Sequence, residues 1–458
     1  LSTARYLKEE GINFTVLEAT KYVGGTWRYD PRTKIDENGQ PLHTSMYKHL
    51  RTNLPKPTME LPGFPLPDGI PSFPSWEIYY NYLKDYAKHF DIEKNIQFLH
   101  NVILVSRKNN VWTVRHEHVQ THEVFEEEYD YVIVGNGHFS KPNMPNIPGE
   151  NKFQGRQMKN KYLTNLFTSP SLKSYDSAGF HKCSFFTFNA GKIFYFLCTI
   201  IHSHDYREPD PYRNRRVLVV GGGPSGMDIG MDVGRVSHSL IHSHHSKANF
   251  RTKFPSNFVK KPDVKELNET GALFVDGSFE EVDDIIYCTG FEYDYPFLDA
   301  SSELTLTPRN VIPLYKYMVN INQPTMVVMG LVVRACLVIA LDAQARYATA
   351  LVKGNFTLPS HAEMMQDWQR HVDAVKSKGL PLSFIHVLAE KEDQYYAELS
   401  EESGINRVPP VMFKIRAVDT AAKLEDLYTY RNYVYTVIDD NKFTRSLEEP
   451  TVSSSLSP

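Results

Sequence analysis

Arg216-Val217-Leu218-Val219-Val220-Gly221-Gly222-Gly223-Pro224-Ser225-Gly226 is the stretch on which the reading of this chain turns. Aliphatic residues run unbroken into Gly221-x-Gly223-x-x-Gly226, and Met227-Asp228-Ile229-Gly230-Met231-Asp232-Val233 continues as a helix start. Strand, tight glycine turn and helix is the context in which such glycines are informative. They allow a sharp turn, let backbone approach a pyrophosphate, and leave the first helical amides facing its charge. A plain glycine-rich turn would lack those flanks. The segment predicts an α/β unit with a dinucleotide site built from Gly221, Gly223, Ser225 and Gly226.

The next strand, Ser239-Leu240-Ile241-His242, should end near residue 244, where an NAD site places an acid against the ribose 2′-hydroxyl. His244 stands there instead. With Ser243, His245, Lys247 and Arg251 around it, the strand end offers donors and positive charge, which favours the 2′-phosphate of NADP. A metal site made of His242, His244 and His245 would have no carboxylate or thiolate partner and is disfavoured.

A related unit opens the chain. Leu1-Ser2-Thr3-Ala4-Arg5-Tyr6-Leu7 has helical rhythm as far as Gly11, Asn13-Phe14-Thr15-Val16-Leu17-Glu18 reads as a strand ending in an acid, and Gly24-Gly25-Thr26-Trp27 follows. The interval from Gly226 to His244, counted back from Glu18, falls on the position just before Leu1. A first glycine loop is therefore expected ahead of Leu1, and the chain as written is expected to bind FAD poorly without it. Glu18 is read as the acid for an unphosphorylated ribose, as in FAD or NAD; the alternative is a solvated loop acid. One acid-tipped unit and one basic-tipped unit suggest a flavin that accepts hydride from NADPH. The expected fold is α/β with two Rossmann-like dinucleotide-binding domains: an FAD domain in two stretches, 1–158 and 293–458, the second with C-terminal helices, and an NADP domain at 202–292 between them. A buried strand at Asp284-Ile285-Ile286-Tyr287-Cys288 echoes Tyr131-Val132-Ile133-Val134.

Composition narrows the partners. The 458 residues carry 50 basic and 54 acidic side chains, a formal charge of -4 that gives no reason to expect nucleic acid. Small molecules are the expected partners. The four cysteines, Cys183, Cys198, Cys288 and Cys336, form no CxxC, which argues against a dithiol redox site. No apolar run reaches the ~18 residues of a membrane span, so a cytoplasmic or peripherally membrane-associated protein is expected. A homo-oligomer is left open.

The stretch 159–201 differs in character, with Lys, Asn, Ser and Phe dominating. Phe153-Gln154-Gly155-Arg156-Gln157-Met158 before it and His202-Ser203-His204-Asp205-Tyr206 after it are the two halves of an F-x-G-x-x-x-H-x-x-x-[FY] motif, and removing 159–201 joins them in register. On these residues the chain resembles the flavin-containing monooxygenases. Gly24-Gly25-Thr26-Trp27, Thr52-Asn53-Leu54-Pro55-Lys56, Phe73-Pro74-Ser75, Tyr287-Cys288-Thr289-Gly290-Phe291 and Asp342-Ala343-Gln344-Ala345-Arg346 support the resemblance; 331–340 matches it weakly. The segment 159–201 is then read as foreign to the fold, as translated intron sequence would be, with an authentic surface insertion as the alternative.

The resemblance implies that NADPH reduces FAD, that O2 adds to give a C4a-hydroperoxyflavin, and that an amine nitrogen or thioether sulfur takes the distal oxygen, as in the N,N-dimethylaniline-monooxygenase type. It implies Asn53 as the catalytic amide at the flavin, with a loop-satisfying Asn as the alternative. Gly25, Thr26, Trp27 and Gln344 become candidate FAD contacts, with Arg346 near them; core packing for Trp27 and a helix-surface role for Gln344 and Arg346 stay open. A Baeyer-Villiger enzyme would carry Trp followed by Pro or Asp where Tyr206-Arg207 stands, and a disulfide reductase would need paired cysteines at the flavin. A catalytically dead fragment of the family is the remaining alternative.

Overall fold

The computed structural model describes residues 1–158, 186–189, 192–197, 199–246 and 250–447. Helix α1 (Ser2–Glu9) stops just before Gly11, whose φ of 67° favours glycine, and leads into β1 (Val16–Glu18). After the loops that follow, α2 (Trp76–His89) starts at Ser75, whose hydroxyl caps the Ile78 amide at 3.4 Å, and buries Tyr79, Tyr82, Leu83 and Tyr86 against Ala4, Met59 and Leu61. β2 (Ile96–Phe98) then pairs in parallel with β1, setting Glu18 opposite Phe98. β3 (His100–Lys108), β4 (Val111–His118) and β5 (Val124–Tyr129) form an antiparallel sheet that covers this unit, and β6 (Val132–Val134) follows.

The second unit is built on a five-stranded parallel sheet, beside which residues 264–281 form a three-stranded antiparallel one. The parallel sheet contains β7 (Thr199–His202), β8 (Arg216–Val220), β9 (Ser239–Ser243), β10 (Phe258–Lys261) and β11 (Asp284–Tyr287), in the order β7-β11-β8-β9-β10, with α3 (Pro224–Gly234) crossing from β8 to β9. Its central strands are apolar, as a sheet covered on both faces requires: Val217, Leu218, Val219, Leu240, Ile285 and Ile286 are fully buried. The chain then returns to the first unit. β12 (Leu314–Tyr315), β13 (Val319–Asn320) and β14 (Met326–Val328) form a sheet in which β14 lies parallel to β6. Helices α4 (Leu337–Lys353), α5 (His361–Ser377), α6 (Glu392–Ser403) and α7 (Val411–Glu425) complete it. α4 buries Ala340, Ala343, Ala345 and Ala348, small enough to let α1 pack closely. Buried Asp342 accepts from Ser2 Oγ at 3.0 Å, Tyr6 Oη at 2.8 Å and Arg346 Nε at 2.9 Å.

One expectation changes. The parallel sheet begins at Thr199, three residues before the expected 202, because Ile200 and Ile201 pair with Ile285 and Ile286 and are buried. Residues 199–201 therefore belong to the sheet, and removing 156–198 joins Phe153-x-Gly155 to His202 in the same register, now with Thr199-Ile200-Ile201 as the intervening strand. Apolar β-branched residues suit that position better than Arg156-Gln157-Met158. Residues 159–185 lie outside the described residues. The C-terminal helices expected are followed by an element the sequence did not announce, a hairpin of β15 (Tyr433–Asp439) and β16 (Lys442–Leu447), whose exposed face blurs the alternation.

Candidate active site

The three fingerprint glycines do different things. Gly221 has a φ of 123°, and a Cβ there would lie 2.2 Å from the Cys288 carbonyl oxygen. A Cβ on Gly226 would lie 1.9 Å from the Gly221 carbonyl oxygen, so the helix start rests directly on the turn. Gly223, the N-cap of α3, is exposed and has nothing within 4 Å of a built Cβ, which leaves the open face a pyrophosphate needs at the helix amides. Ser225 sits half-buried in the first turn. Beneath the loop His242 Nε2 donates to the Gly221 carbonyl at 2.8 Å. Burial holds that ring neutral, pushing it down to about 4.

At the ribose end of this unit the residues divide. Ser243 is fully buried and its hydroxyl donates to the Pro262 carbonyl at 2.6 Å, so it supports the strand end and has no proton left for a ligand. His244 packs against Gly222, and its Nδ1 accepts from the Ser246 amide at 3.2 Å, leaving the proton on Nε2. Burial first, then nearby Lys260, lowers its pKa, so it offers a neutral donor and not the positive charge expected. Arg251 is exposed but turned toward Glu425, 2.9 Å away. Lys247 lies outside the described residues. Lys260, in register with His242 across the sheet, is a described cation at this end that the sequence reading passed over, because it sits on a later strand.

In the first unit Glu18 ends β1 as expected. Its Oε1 accepts from the Thr20 amide at 2.9 Å and the Thr20 hydroxyl at 2.8 Å, and burial raises its pKa. A small cavity of about 40 Å³ beside it is lined by Thr20, Gly25, Arg28, His43 and Thr44 among others. Gly25 is exposed at a φ of 52°. Trp27 packs at 4.4 Å on Tyr79 in the hydrophobic cluster of α2, which is the core role. Asn53 is exposed, and its backbone carbonyl accepts from Lys423 Nζ. Gln344 is fully buried, with Oε1 accepting from the Gly330 amide at 3.0 Å and Nε2 donating to Tyr395 Oη at 3.0 Å. That pairing fastens α4 to α6 and places Gln344 inside the protein, away from the helix surface. Arg346 likewise serves Asp342 and the Asn406 carbonyl, the latter at 2.5 Å.

The segment 202–207 joins the units. Arg207, 8% exposed, donates to the carbonyls of Asp30 (2.7 Å), Arg32 (3.0 Å), Thr44 (3.3 Å), His204 (2.7 Å) and Tyr206 (3.0 Å). Phe291 gathers Phe139, His202 and His204 around its ring at 5.1 to 6.3 Å. Among the buried polar atoms left without a hydrogen-bond partner in the protein are Thr26 Oγ1, Thr52 Oγ1, His138 Nε2 and His204 Nε2. Buried polar groups are ordinarily satisfied, and Thr26 follows Gly25, which lines the cavity beside Thr20, so its hydroxyl is available to a bound group there. Neither described cysteine offers a nucleophile: burial pushes the Cys288 thiol up to about 12 and the Cys336 thiol higher still. Among the described residues no cluster could hold a metal ion.

The buried imidazoles set an acid limit. His202 and His242 are held near 4 and His386 near 3, each chiefly by burial, against an ordinary 6.5. The fold thus prefers the neutral ring, and this contribution is complete above pH 6.5 and lost as pH falls toward 4. For His242 alone it is on the order of 3 kcal/mol. Urea midpoints should fall steeply between pH 6.5 and 4.5, and a flat profile there would contradict this packing.

A sequence model described as "Flavin-binding monooxygenase-like" matches residues 1–167, 177–251 and 254–420. Senecionine N-oxygenase of Tyria jacobaeae is 36% identical over 450 residues, covering 97% of this chain and 89% of that protein. A flavin-containing monooxygenase of Arabidopsis thaliana is 31% identical over 428 residues, covering 89% and 83%. The structure of S-allyl-L-cysteine S-oxygenase from Allium sativum superposes with a TM-score of 0.79 at 25% identity, covering 94% and 92%. Among the described residues no helix is long and apolar enough to cross a membrane. With two dinucleotide units in one fold and a family match along most of its length, the chain belongs to the flavin-binding monooxygenase-like family.

Proposed function

We propose that this protein oxygenates a soft nucleophilic nitrogen or sulfur of a small molecule using FAD, NADPH and O2, with tertiary amines as the first substrate class to test. The observation that carries the reading is the pair of unlike strand ends. A half-buried acid, Glu18, stands at one, and a neutral donor with a lysine behind it, His244 with Lys260, stands at the other. The N-oxygenase named above supports nitrogen, and the S-oxygenase keeps sulfur as the second reading. The Baeyer-Villiger alternative is not favoured.

FAD, reduced by NADPH, supplies the oxygen-activating chemistry when bound. The protein's part is binding, orientation and exclusion of water. Glu18 would accept from an FAD ribose hydroxyl, and the Gly25 and Thr26 turn with the orphaned Thr26 and Thr52 hydroxyls would receive the rest of that cofactor. Gly221, Gly223, Ser225 and Gly226 would hold the NADPH pyrophosphate, with His244, Lys247, Lys260 and Arg251 toward its 2′-phosphate. Asn53, a neutral amide exposed beside Thr52, would donate a hydrogen bond at the reacting centre without releasing a proton.

The test is NADPH consumption by the full-length protein under O2, with a tertiary amine and a thioether offered separately and the products weighed by mass spectrometry. An oxygen atom gained by the amine supports nitrogen; a gain on the thioether alone moves the assignment to sulfur; no gain on either defeats the reading. Coenzyme choice is separately testable. Lys260→Ala should raise KM for NADPH about tenfold, a change of ~1.4 kcal/mol, and leave NADH unchanged. Arg251→Ala should do less, since Glu425 already holds that side chain. Equal shifts for both coenzymes would remove the 2′-phosphate assignment.

A further inference from the structure

Two functional segments of this chain, the glycine turn of the second unit and the Asn53 loop of the first, come from opposite sides of the domain boundary, and one side chain touches the supports of both. Arg431 lies in the short turn Tyr430–Asn432 that follows α7. Its Nη1 and Nη2 donate to the two carboxylate oxygens of Asp228 at 3.0 and 2.8 Å, while its Nε donates to the Thr52 carbonyl at 3.1 Å. Asp228 stands on α3 two residues after Gly226, and Thr52 is the residue before Asn53. The Tyr47 hydroxyl also donates to Asp228, at 3.0 Å. The guanidinium side chain is 14% exposed and Asp228 20%, so water competes weakly for the fork. A second cation on the same C-terminal segment, Lys423, holds the Asn53 carbonyl and pairs at 2.5 Å with fully buried Asp419.

We propose that Arg431 is a positioning residue that fixes the separation between the NADP loop and Asn53, so that the C-terminal segment, remote in sequence from both, sets the geometry in which coenzyme and substrate meet. The proposal needs a planar fork. One face binds a carboxylate with two parallel hydrogen bonds while the remaining Nε–H points to a carbonyl in another segment, which the single point charge of lysine cannot reproduce. It rests on the monooxygenase reading above only for its kinetic consequence. With the separation lost, NADPH and O2 should still react, NADPH + H⁺ + O2 giving NADP⁺ + H2O2, but the oxygen should reach the substrate less often.

Arg431→Lys and Asp228→Asn test this in the full-length protein by two readouts. The first is hydrogen–deuterium exchange of segments 51–55 and 221–226, which needs no activity. Positioning predicts that exchange in both segments rises together, at least fivefold, in either variant. The second is the yield of oxygenated product per NADPH consumed at saturating NADPH, expected to fall at least threefold with a matching rise in H2O2. A merely structural role would lower the melting temperature and leave the yield of the folded fraction unchanged. Unchanged exchange in both segments in Asp228→Asn overturns the proposal even if Arg431→Lys does not fold. If the unmodified protein oxidises no NADPH, the monooxygenase reading fails and the exchange result still decides this one.

Discussion

Replacing Gly221 by alanine is expected to abolish NADPH binding and to lower the melting temperature, whereas replacing Gly223 by alanine is expected to weaken NADPH binding alone. The two glycines are two residues apart and meet opposite surroundings. At Gly221 the φ of 123° is unfavourable for any L-residue, and the new Cβ would lie 2.2 Å from the Cys288 carbonyl oxygen and 2.8 Å from its carbon. That neighbour is backbone and cannot swing aside: the Cys288 amide is bonded to the Val220 carbonyl at 2.7 Å, and the Gly221 amide to the Ser243 carbonyl at 2.9 Å. Relief would require parting strands β8, β9 and β11, with strain and lost hydrogen bonds of at least about 3 kcal/mol. At Gly223 the φ of -80° is ordinary and no protein atom lies within 4 Å of a built Cβ, so the methyl would project only into the space a pyrophosphate would occupy. Calorimetric titration with NADPH together with thermal melts separates the outcomes. If Gly223→Ala melts as low as Gly221→Ala, the turn is not the anion face assigned to it.

Arg207→Met should destabilise the protein by about 3–5 kcal/mol, the largest loss expected from any single side chain at the domain junction. Five carbonyls from three separate segments converge on this one guanidinium, and burial already disfavours its charged form, the cause of its lowered pKa. Methionine would fill the space and leave those oxygens without donors. Lysine should recover only part of the loss, because three donors on one nitrogen cannot span acceptors from Asp30 to Tyr206. Urea unfolding of the three proteins at pH 7 measures this, and a Met variant within about 1 kcal/mol of the original would show that water replaces the arginine.

Much of the fold was legible because its signals are local. The run from Arg216 to Gly226 specifies strand, turn and helix by neighbours within a few residues. Glu18, His244 and the fingerprint glycines sit at strand ends whose positions follow from counting. For Ser243 and Gln344 the sequence left the partners open: a polar side chain in a given stretch has two sets of possible partners, and sequence does not say which it faces. Packing decided, giving Ser243 to Pro262 and Gln344 to Gly330 and Tyr395.

The sequence by itself determined that this chain carries two nucleotide-binding units, which of them ends in an acid, and to which family its motifs belong, since periodicity, glycine spacing and the residue at a strand end are properties of short segments. Only the tertiary structure decided what holds the units together. It placed Arg207 among carbonyls of 30, 32 and 44, Arg431 between Asp228 and Thr52, and residues 199–201 in the central sheet. Those contacts join positions as much as 379 residues apart, and their strength comes from burial of charge and exclusion of water, conditions that exist only once the chain has closed on itself.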